Sequence, residues 1–151
     1  MARLTKGPHR VLITGGRVAV DDRIAKKALT LVLVTFGEDI VFGDGDAVGY
    51  DRLVRSLAKE AGCRTQSYRI DRALDGDGDD APKKRNLRME REFEPTLCLS
   101  MPGGPGTRHM WTHCFQKGIP VISVEVDGDH LHVCVMQRHH QSTILFNGPI
   151  A

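Results

Sequence analysis

The residues best suited to bind a ligand lie in three glycine-rich segments, each at the end of a predicted strand. They are Thr14-Gly15-Gly16-Arg17, the segment from Gly43 to Asp51, and the loop from Pro102 to Thr107. Glycine lets backbone N–H groups approach a ligand because no Cβ stands in the way. The helix that follows each loop directs the positive end of its dipole to the same place. Three such loops predict an anion site, although any one of them alone is equally well explained as a tight strand-to-helix turn.

Charged and polar side chains near these loops are the next candidates. Arg85 and Asn86 come early in a predicted helix, and an arginine can fork onto a phosphate or a carboxylate. Other basic residues surround them, so the spacing alone favours a solvated, basic helix start. Asp46 and Asp51 flank Gly49. Asp51 is placed either to bind a ribose hydroxyl or to cap its own helix, and its position alone favours the cap.

Strands and helices alternate along the chain, which is typical of βαβ units. Strands are predicted at 10–14, 39–42, 64–70, 96–100 and 120–124. Helices are predicted at 21–36, 50–61, 82–93 and from the Pro/Gly loop to 117. A polar loop is predicted at 71–82. This order predicts a Rossmann-like, three-layer α/β domain with a mainly parallel five-stranded sheet and right-handed crossovers. Ligands of such sheets bind beyond the carboxyl ends of the strands, where the three glycine-rich segments lie.

The last part of the chain follows a different pattern. Two strand-like runs, 131–136 and 143–146, have no helix between them. We expect them to form a short antiparallel extension, a hairpin at one edge of the sheet. The chain is therefore predicted to be a single domain, residues 1–151, with its core at about 9–124 and a C-terminal β extension at about 125–151.

Composition narrows the class of protein. With 151 residues, 40% of them hydrophobic, the chain is long and apolar enough for one globular core. A net charge of +2, with both signs interspersed, does not favour a nucleic-acid or membrane binder. Neither a signal peptide nor a membrane span is evident, so a cytoplasmic location is expected. The four cysteines, Cys63, Cys98, Cys114 and Cys134, form no C-x-x-C pair and are expected to be reduced, structural thiols.

Two segments superficially resemble metal sites. Asp75 to Asp80 is similar to the start of a calcium loop, but its sixth position is Asp rather than Gly and its twelfth is Asn86 rather than Glu. We expect a mobile acidic loop that could close over the site. His109 and His113 have zinc-ligand spacing on a predicted helix, but Met110 stands where a metalloprotease has its glutamate. No metal and no cofactor is predicted.

Four motifs in order resemble the YspA-type, YpsA-related branch of the SLOG superfamily. They are Ile13-Thr14-Gly15-Gly16-Arg17, Gly45-Asp46-Ala47-x-Gly49-x-Asp51-Arg52-Leu53, Arg85-Asn86-x-x-Met89 and Pro102-Gly103-Gly104-x-Gly106-Thr107. The resemblance covers residues 9–124. It implies a Rossmann-like domain, related to the lysine-decarboxylase-like LOG enzymes, with a nucleotide or nucleotide-derived ligand at the glycine loops. The binding residues so implied are Gly15, Gly16, Arg17, Gly45, Asp46, Gly49, Asp51, Arg85, Asn86, Gly103, Gly104, Gly106 and Thr107.

The chain departs from the LOG pattern at the position that matters for catalysis. LOG phosphoribohydrolases carry a glutamate three residues after the threonine of their P-G-G-x-G-T motif, and this chain has Met110 there. Their Arg-Lys pair corresponds to Arg85-Asn86. Cleavage of an N-glycosidic bond needs a carboxylate to stabilise charge or activate water. The candidates that could replace it, if the fold brings one within reach, are Asp46, Asp51 and Glu90.

Three functions stay open at this point. Met110 favours a binding module that senses or sequesters a nucleotide-type small molecule, with catalytic residues unassigned. The first alternative is an N-glycosidase similar to the nucleoside-5'-monophosphate phosphoribohydrolases, and the second is a structural or partner-binding protein with a relic site. Related folds pair through the helices beside the glycine loop, which implies a homodimer or higher homo-oligomer. Trp111 is expected to pack in the core or at that interface rather than to stack on a base.

Overall fold

A computed structural model describes residues 5–151 as one seven-stranded sheet flanked by helices. The strands are β1 (His9–Thr14), β2 (Ile40–Asp44), β3 (Arg64–Ser67), β4 (Leu97–Ser100), β5 (Val121–Asp127), β6 (His130–Met136) and β7 (Thr143–Pro149). The helices are α1 (Asp22–Phe36), α2 (Tyr50–Glu60), α3 (Arg72–Asp75), α4 (Ala81–Phe93) and α5 (Pro105–Gln116).

The strand order is β3-β2-β1-β4-β5-β6-β7. The first five strands are parallel, whereas β6 and β7 pair antiparallel to their neighbours. The predicted Rossmann-like α/β class, with its antiparallel C-terminal extension, is thereby confirmed. From β1 the chain first builds the sheet towards β3 and then crosses back to β4. The loops after β1 and β4 consequently diverge, and such a switch point is where ligands bind in this architecture.

The helices cover the sheet in two layers because β1 alternates apolar side chains to both faces. Val11 and Ile13 pack in a cluster with the buried stripes of α1 and α2, and the inner face of the C-terminal hairpin joins the same cluster. Leu12 points the other way, into a smaller cluster with α4 and α5. The second layer therefore holds the first turns of α4 and α5 against the switch point.

The structure differs from the sequence prediction between β3 and α4. Strand β3 ends at Ser67 rather than near residue 70, because its neighbour β2 ends at Asp44, the residue that pairs with Ser67. The predicted structureless loop at 71–82 is wrong in part, since it contains α3. The side chain of Asp71 caps this short helix by accepting from the N–H groups of Ala73 and Leu74. The segment is also anchored to α4, because the buried Asp75 carboxylate pairs with the Arg88 guanidinium (2.8 Å).

None of the helices formed by residues 5–151 is long and apolar enough to cross a bilayer. Within the same residues all four cysteines are free thiols. Two of them, Cys98 and Cys114, lie fully buried beneath α5, and the other two are half-buried. Burial agrees with a packing role for that inner pair.

Candidate functional site

A cleft of about 210 Å³ opens at the switch point, beyond the carboxyl ends of β1 and β4. The loop after β1, the first turn of α2 and the first turns of α4 and α5 form its walls. Nine of the residues selected from the sequence line it: Gly15, Gly16, Arg17, Asp51, Arg85, Asn86, Gly104, Gly106 and Thr107. The structure thus brings together residues that are up to 92 positions apart in the chain.

Backbone contacts between glycines close the base of the cleft. The Gly16 N–H donates to the Pro102 carbonyl (2.8 Å), which ties the loop after β1 to the loop after β4. The Gly16 carbonyl in turn accepts from the Tyr50 N–H (3.1 Å) at the start of α2. Gly49 has a φ of +101° and its Cα faces Arg17 so closely that a Cβ would lie 2.7 Å from the Arg17 Cα. Gly49 therefore shapes the site from behind and does not line the cleft.

The N-terminus of α5 faces the cleft without a side-chain cap. Gly104 is the N-cap residue and Pro105 occupies the first turn, so the N–H groups of Gly106 and Thr107 have no partner within the helix. A Cβ added at Gly104 or Gly106 would meet nothing within 4 Å, which leaves open space in front of these N–H groups. Gly103 instead packs against the Thr107 side chain and lies outside this cleft. The arrangement can accept an anion on the positive end of the helix dipole.

Arg85 reaches into the cleft from α4 and is 7% exposed. Its Nη1 donates to the Gly45 carbonyl (2.5 Å) and the Tyr68 carbonyl (3.3 Å), and its Nε donates to Asn86 Oδ1 (3.1 Å). Within residues 5–151 no carboxylate lies within 4.0 Å of the guanidinium. Burial lowers the pKa of Arg85 below its usual range, with the nearby Arg17 adding to the effect. The cleft therefore contains a buried positive charge that no carboxylate pairs with.

Arg17 and Asn86 complete the polar wall. Arg17 is exposed at the mouth of the cleft, and no side chain in the described part of the chain pairs with it. The Asn86 amide is held between Arg85 and His109, with 3.5 Å between its Nδ2 and the His109 Nδ1. Burial lowers the pKa of His109, which keeps the imidazole neutral near pH 7. His109 therefore acts as a neutral neighbour of the Asn86 amide.

Asp51 lines the cleft but does not cap its helix, so that expectation is wrong. Its Oδ2 accepts from the N–H groups of Gly45 (3.1 Å) and Ala47 (3.5 Å) and so orders the loop before α2. Burial, with the adjacent Asp44 carboxylate, raises the pKa of Asp51 to about 7. The carboxyl is therefore partly protonated at neutral pH and offsets only part of the charge on Arg85.

Asp46 and Gly45 lie behind the cleft. The Asp46 carboxylate pairs with Arg52 (3.3 Å), Arg55 (2.7 Å) and Arg69 (2.8 Å). The hydrogen bond from Arg55 is the main reason that the pKa of Asp46 lies below its usual value. Gly45 supports the Arg85 guanidinium through its carbonyl. The structure thus assigns Asp46 to an ion cluster beside α2 and gives Gly45 a supporting position.

Met110, which stands where the LOG enzymes have a glutamate, places no carboxylate in the cleft. Met110 is 1% exposed and packs in the apolar cluster under α5. Glu90 is engaged elsewhere, because its Oε1 contacts His113 Nε2 (2.7 Å) and accepts from Lys117 Nζ (2.9 Å). Among residues 5–151, Asp51 is the one carboxylate that lines the cleft.

Some lining residues were missed from the sequence. The structure adds Thr14, Ala47, Pro82 and Met89 to the walls. Thr14 and Met89 belong to motifs that carry the resemblance, so their place in those motifs was an available signal. Ala47 also stands in one of these motifs, whereas Pro82 has no chemistry that a sequence pattern could single out. No group of three or more His, Cys, Asp or Glu side chains suited to a metal ion occurs within residues 5–151.

Comparison with known proteins identifies the fold. No protein-family model matches the chain, and neither does any curated protein. TM1055, a structural-genomics target, superposes with a TM-score of 0.58 and 18% identity over 76% of this chain and 72% of its own. The Moco carrier protein from Chlamydomonas reinhardtii gives a TM-score of 0.51 and 17% identity over 75% of this chain and 74% of its own. Similarity at this level is one of fold, and the chain has the Rossmann-like α/β fold that these structures share.

Proposed function

We propose that the chain binds the phosphate of a nucleotide or nucleotide-derived ligand in the cleft at the switch point, as a sensor or sequestering module. The observation that carries the proposal is Arg85, a buried guanidinium with no carboxylate partner. The SLOG-like motifs and the missing glutamate at Met110 agree with binding rather than turnover.

The electrostatics of Arg85 favour an anionic ligand. A buried charge without a partner costs several kcal/mol, because protein carbonyls replace only part of its hydration. Arg17 adds a second positive charge close enough to lower the pKa of Arg85. Two like charges at one cleft destabilise the empty protein, and a phosphate relieves both costs at once.

The shape of the cleft also agrees with a phosphate. Nη1 and Nε of Arg85 already donate to the protein, but the two N–H groups of its Nη2 have no acceptor within residues 5–151, so they are free to bind phosphate oxygens. The free N–H groups of Gly106 and Thr107 face the same space and can bind a further oxygen. Cationic side chains and the helix dipole both supply positive potential at this site.

The position in the fold supports a small-molecule role. The cleft lies at the switch point of the sheet, where open α/β proteins bind their ligands. One structure with a similar fold is named as a Moco carrier protein. A carrier or sensor role for this chain is consistent with that neighbour.

A thermal-shift screen tests the proposal. The panel contains nucleoside mono- and diphosphates, NAD, ADP-ribose, cyclic nucleotides and ribose 5-phosphate, with the matching nucleosides as unphosphorylated controls. A ligand at a hundred times its Kd stabilises the native state by about 2.7 kcal/mol, which raises the Tm of a domain of this size by about 5–10 °C. A panel in which no phosphorylated compound raises the Tm would contradict the proposal.

A second candidate function, N-glycosidic hydrolysis, is favoured by one observation: Asp51 lines the cleft and its pKa is about 7. A carboxyl with this pKa can donate a proton to a departing base at neutral pH. Chromatography of a nucleoside 5'-monophosphate incubated with the protein would detect free base. Release that is lost in Asp51→Asn would favour the enzyme over the binding module.

A further inference from the structure

A second cleft, of about 400 Å³, lies next to the first between α5 and the carboxyl ends of β4 and β5. Gly104 and Thr107 line both clefts. We infer that this second cleft binds the planar heteroaromatic ring of the phosphorylated ligand, and we name it the ring cleft. The inference rests on the proposed function, since it extends the same ligand beyond its phosphate.

The floor of the ring cleft carries two hydroxyls that lack protein partners. Ser100 and Ser123 are paired neighbours on β4 and β5 and are 6% and 9% exposed. In residues 5–151 neither side chain makes a hydrogen bond to protein. Both oxygens are open to the cleft rather than sealed in the protein, since no fully buried side-chain oxygen or nitrogen within residues 5–151 lacks a hydrogen-bond partner. A hydroxyl both donates and accepts, so it can bind the ring nitrogens and exocyclic groups of a heterocycle.

These hydroxyls continue a row that begins in the phosphate cleft. Thr14 pairs with Ser100 across β1 and β4, and Ser100 pairs with Ser123 across β4 and β5. Thr14 is 8% exposed, lines the first cleft and also lacks a protein partner for its hydroxyl within the described residues. The polar floor therefore extends under both clefts, as a ligand that spans them requires.

Trp111 provides an aromatic wall. It lies four residues after Thr107 on α5, so both side chains are on the same face of the helix. One side of the half-buried indole packs against the apolar cluster below, and the ring also lines the ring cleft. Its Nε1–H has no protein acceptor within residues 5–151. An accessible indole is a stacking surface for a planar ring, with a free donor at its edge.

The ridge between the two clefts is low because it is made of glycine. Gly103 packs so tightly against Gly16 that a Cβ would lie 2.8 Å from the Gly16 nitrogen. A Cβ at Gly104 would project into open space. A ligand that crosses the ridge from the phosphate cleft to the ring cleft therefore passes over glycine backbone, and Thr107 is the one side chain in residues 5–151 that lines both clefts.

Charge distinguishes the two clefts. Arg108 and Glu125 line the ring cleft with one charge of each sign, whereas the first cleft has two arginines and a partly neutral carboxyl. The ring cleft therefore has no excess of positive charge that would attract a second phosphate. A neutral heterocycle such as a nucleobase fits its mixture of aromatic, apolar and hydroxyl groups.

The chain contains a single tryptophan, so tryptophan emission comes from the one indole that lines the ring cleft. The probes are AMP, GMP, CMP and UMP, compared with ribose 5-phosphate, with affinities measured by calorimetry. At least one nucleotide is expected to bind about tenfold more tightly than ribose 5-phosphate and to quench Trp111 emission. Ribose 5-phosphate is expected to bind the first cleft and leave the emission unchanged.

Substitutions test the assignment. Trp111→Leu is expected to weaken the nucleotide about tenfold and leave the affinity for ribose 5-phosphate unchanged, and Trp111→Phe keeps a stacking ring and is expected to lose less. Ser123→Ala removes only an unpartnered hydroxyl, so it tests the ring cleft even if the tryptophan variants fold poorly. It is expected to weaken the nucleotide about threefold to tenfold without affecting ribose 5-phosphate.

The two proposals fail in different ways. If ribose 5-phosphate binds but no nucleotide binds more tightly or changes Trp111 emission, the ring cleft is refuted and the phosphate site stands. An equal loss of both ligands in Ser123→Ala also refutes the ring cleft. If neither ribose 5-phosphate nor any nucleotide binds, both proposals are wrong.

Discussion

Arg85→Met separates a binding role from a structural one. The substitution removes hydrogen bonds to the Gly45 and Tyr68 carbonyls, which costs about 2–3 kcal/mol. It also removes a buried charge that has no carboxylate partner, which returns a comparable amount. The two effects oppose each other, so the free energy of unfolding is expected to stay within about 1 kcal/mol of the wild type.

Ligand binding is expected to respond quite differently to Arg85→Met. The two free N–H groups of Arg85 Nη2 can each make a charge-assisted hydrogen bond to the phosphate, and each bond contributes at least about 1.5 kcal/mol. Their loss amounts to about 3 kcal/mol, or roughly a hundredfold increase in Kd. Urea denaturation gives the stability, and calorimetric titration with the ligand that most raises the Tm gives the affinity.

Arg88→Met is the matched control, on the same helix and with the same change of side chain. Arg88 pairs with the buried Asp75 carboxylate (2.8 Å) and does not line the cleft. Its removal leaves that charge unpaired, so stability is expected to fall by about 3 kcal/mol while Kd changes less than threefold. The reasoning would be refuted if Arg85→Met lost as much stability as Arg88→Met and kept the wild-type affinity.

Three further predictions concern the glycine ridge, the buried carboxyl and the ion pair. Gly104→Val should abolish the ligand-induced rise in Tm while leaving the unliganded Tm within about 2 °C, because its side chain would enter open space in front of α5 and contact no protein atom. Asp51 gains negative charge as the pH rises through its pKa of about 7, so the cleft should bind an anion less tightly at higher pH. Sulfate is the probe because its own charge is constant from pH 6 to 8. Its affinity, measured by calorimetry, should fall about fivefold over that range in the wild type and stay constant in Asp51→Asn. Hydrogen bonding to Arg88 lowers the pKa of Asp75 to about 2, so the ion pair stabilises the fold above about pH 4 and this stabilisation is lost as the pH falls towards 2. Urea denaturation of Asp75→Asn at pH 7 should show that the free energy of unfolding falls by about 2 kcal/mol. An unchanged denaturation midpoint would contradict this.

The sheet and the location of the cleft could be predicted from the sequence because both follow from local patterns. Alternating strands and helices fix a parallel sheet, and strands that end in glycine point to its carboxyl edge. The limits of the strands could not be predicted in the same way. The end of β3 depends on where its partner β2 ends, since Ser67 pairs with Asp44, 23 residues away, and no local pattern contains that pairing.

The roles of individual side chains depended on long-range packing. Asp46 and Asp51 are equivalent by spacing, yet two arginines from α2 and one from the segment after β3 hold Asp46 away from the cleft. Arg85 was selected from a motif, but its burial without an ion pair follows from the way the loop after β2 lies across it. Ser123 carried no signal, because its importance comes from register with Ser100.

Backbone amide chemical shifts during a titration with ribose 5-phosphate test the central claim most directly. A phosphate at the N-terminus of α5 should shift the amide resonances of Gly104, Gly106 and Thr107, together with those around Arg17, in a saturable manner. The same titration of Arg85→Met should produce no saturable change at the concentrations that saturate the wild type, because the Kd is expected to rise about a hundredfold. Shifts that spread over the surface without saturating, or that persist in Arg85→Met, would contradict a phosphate site at this cleft.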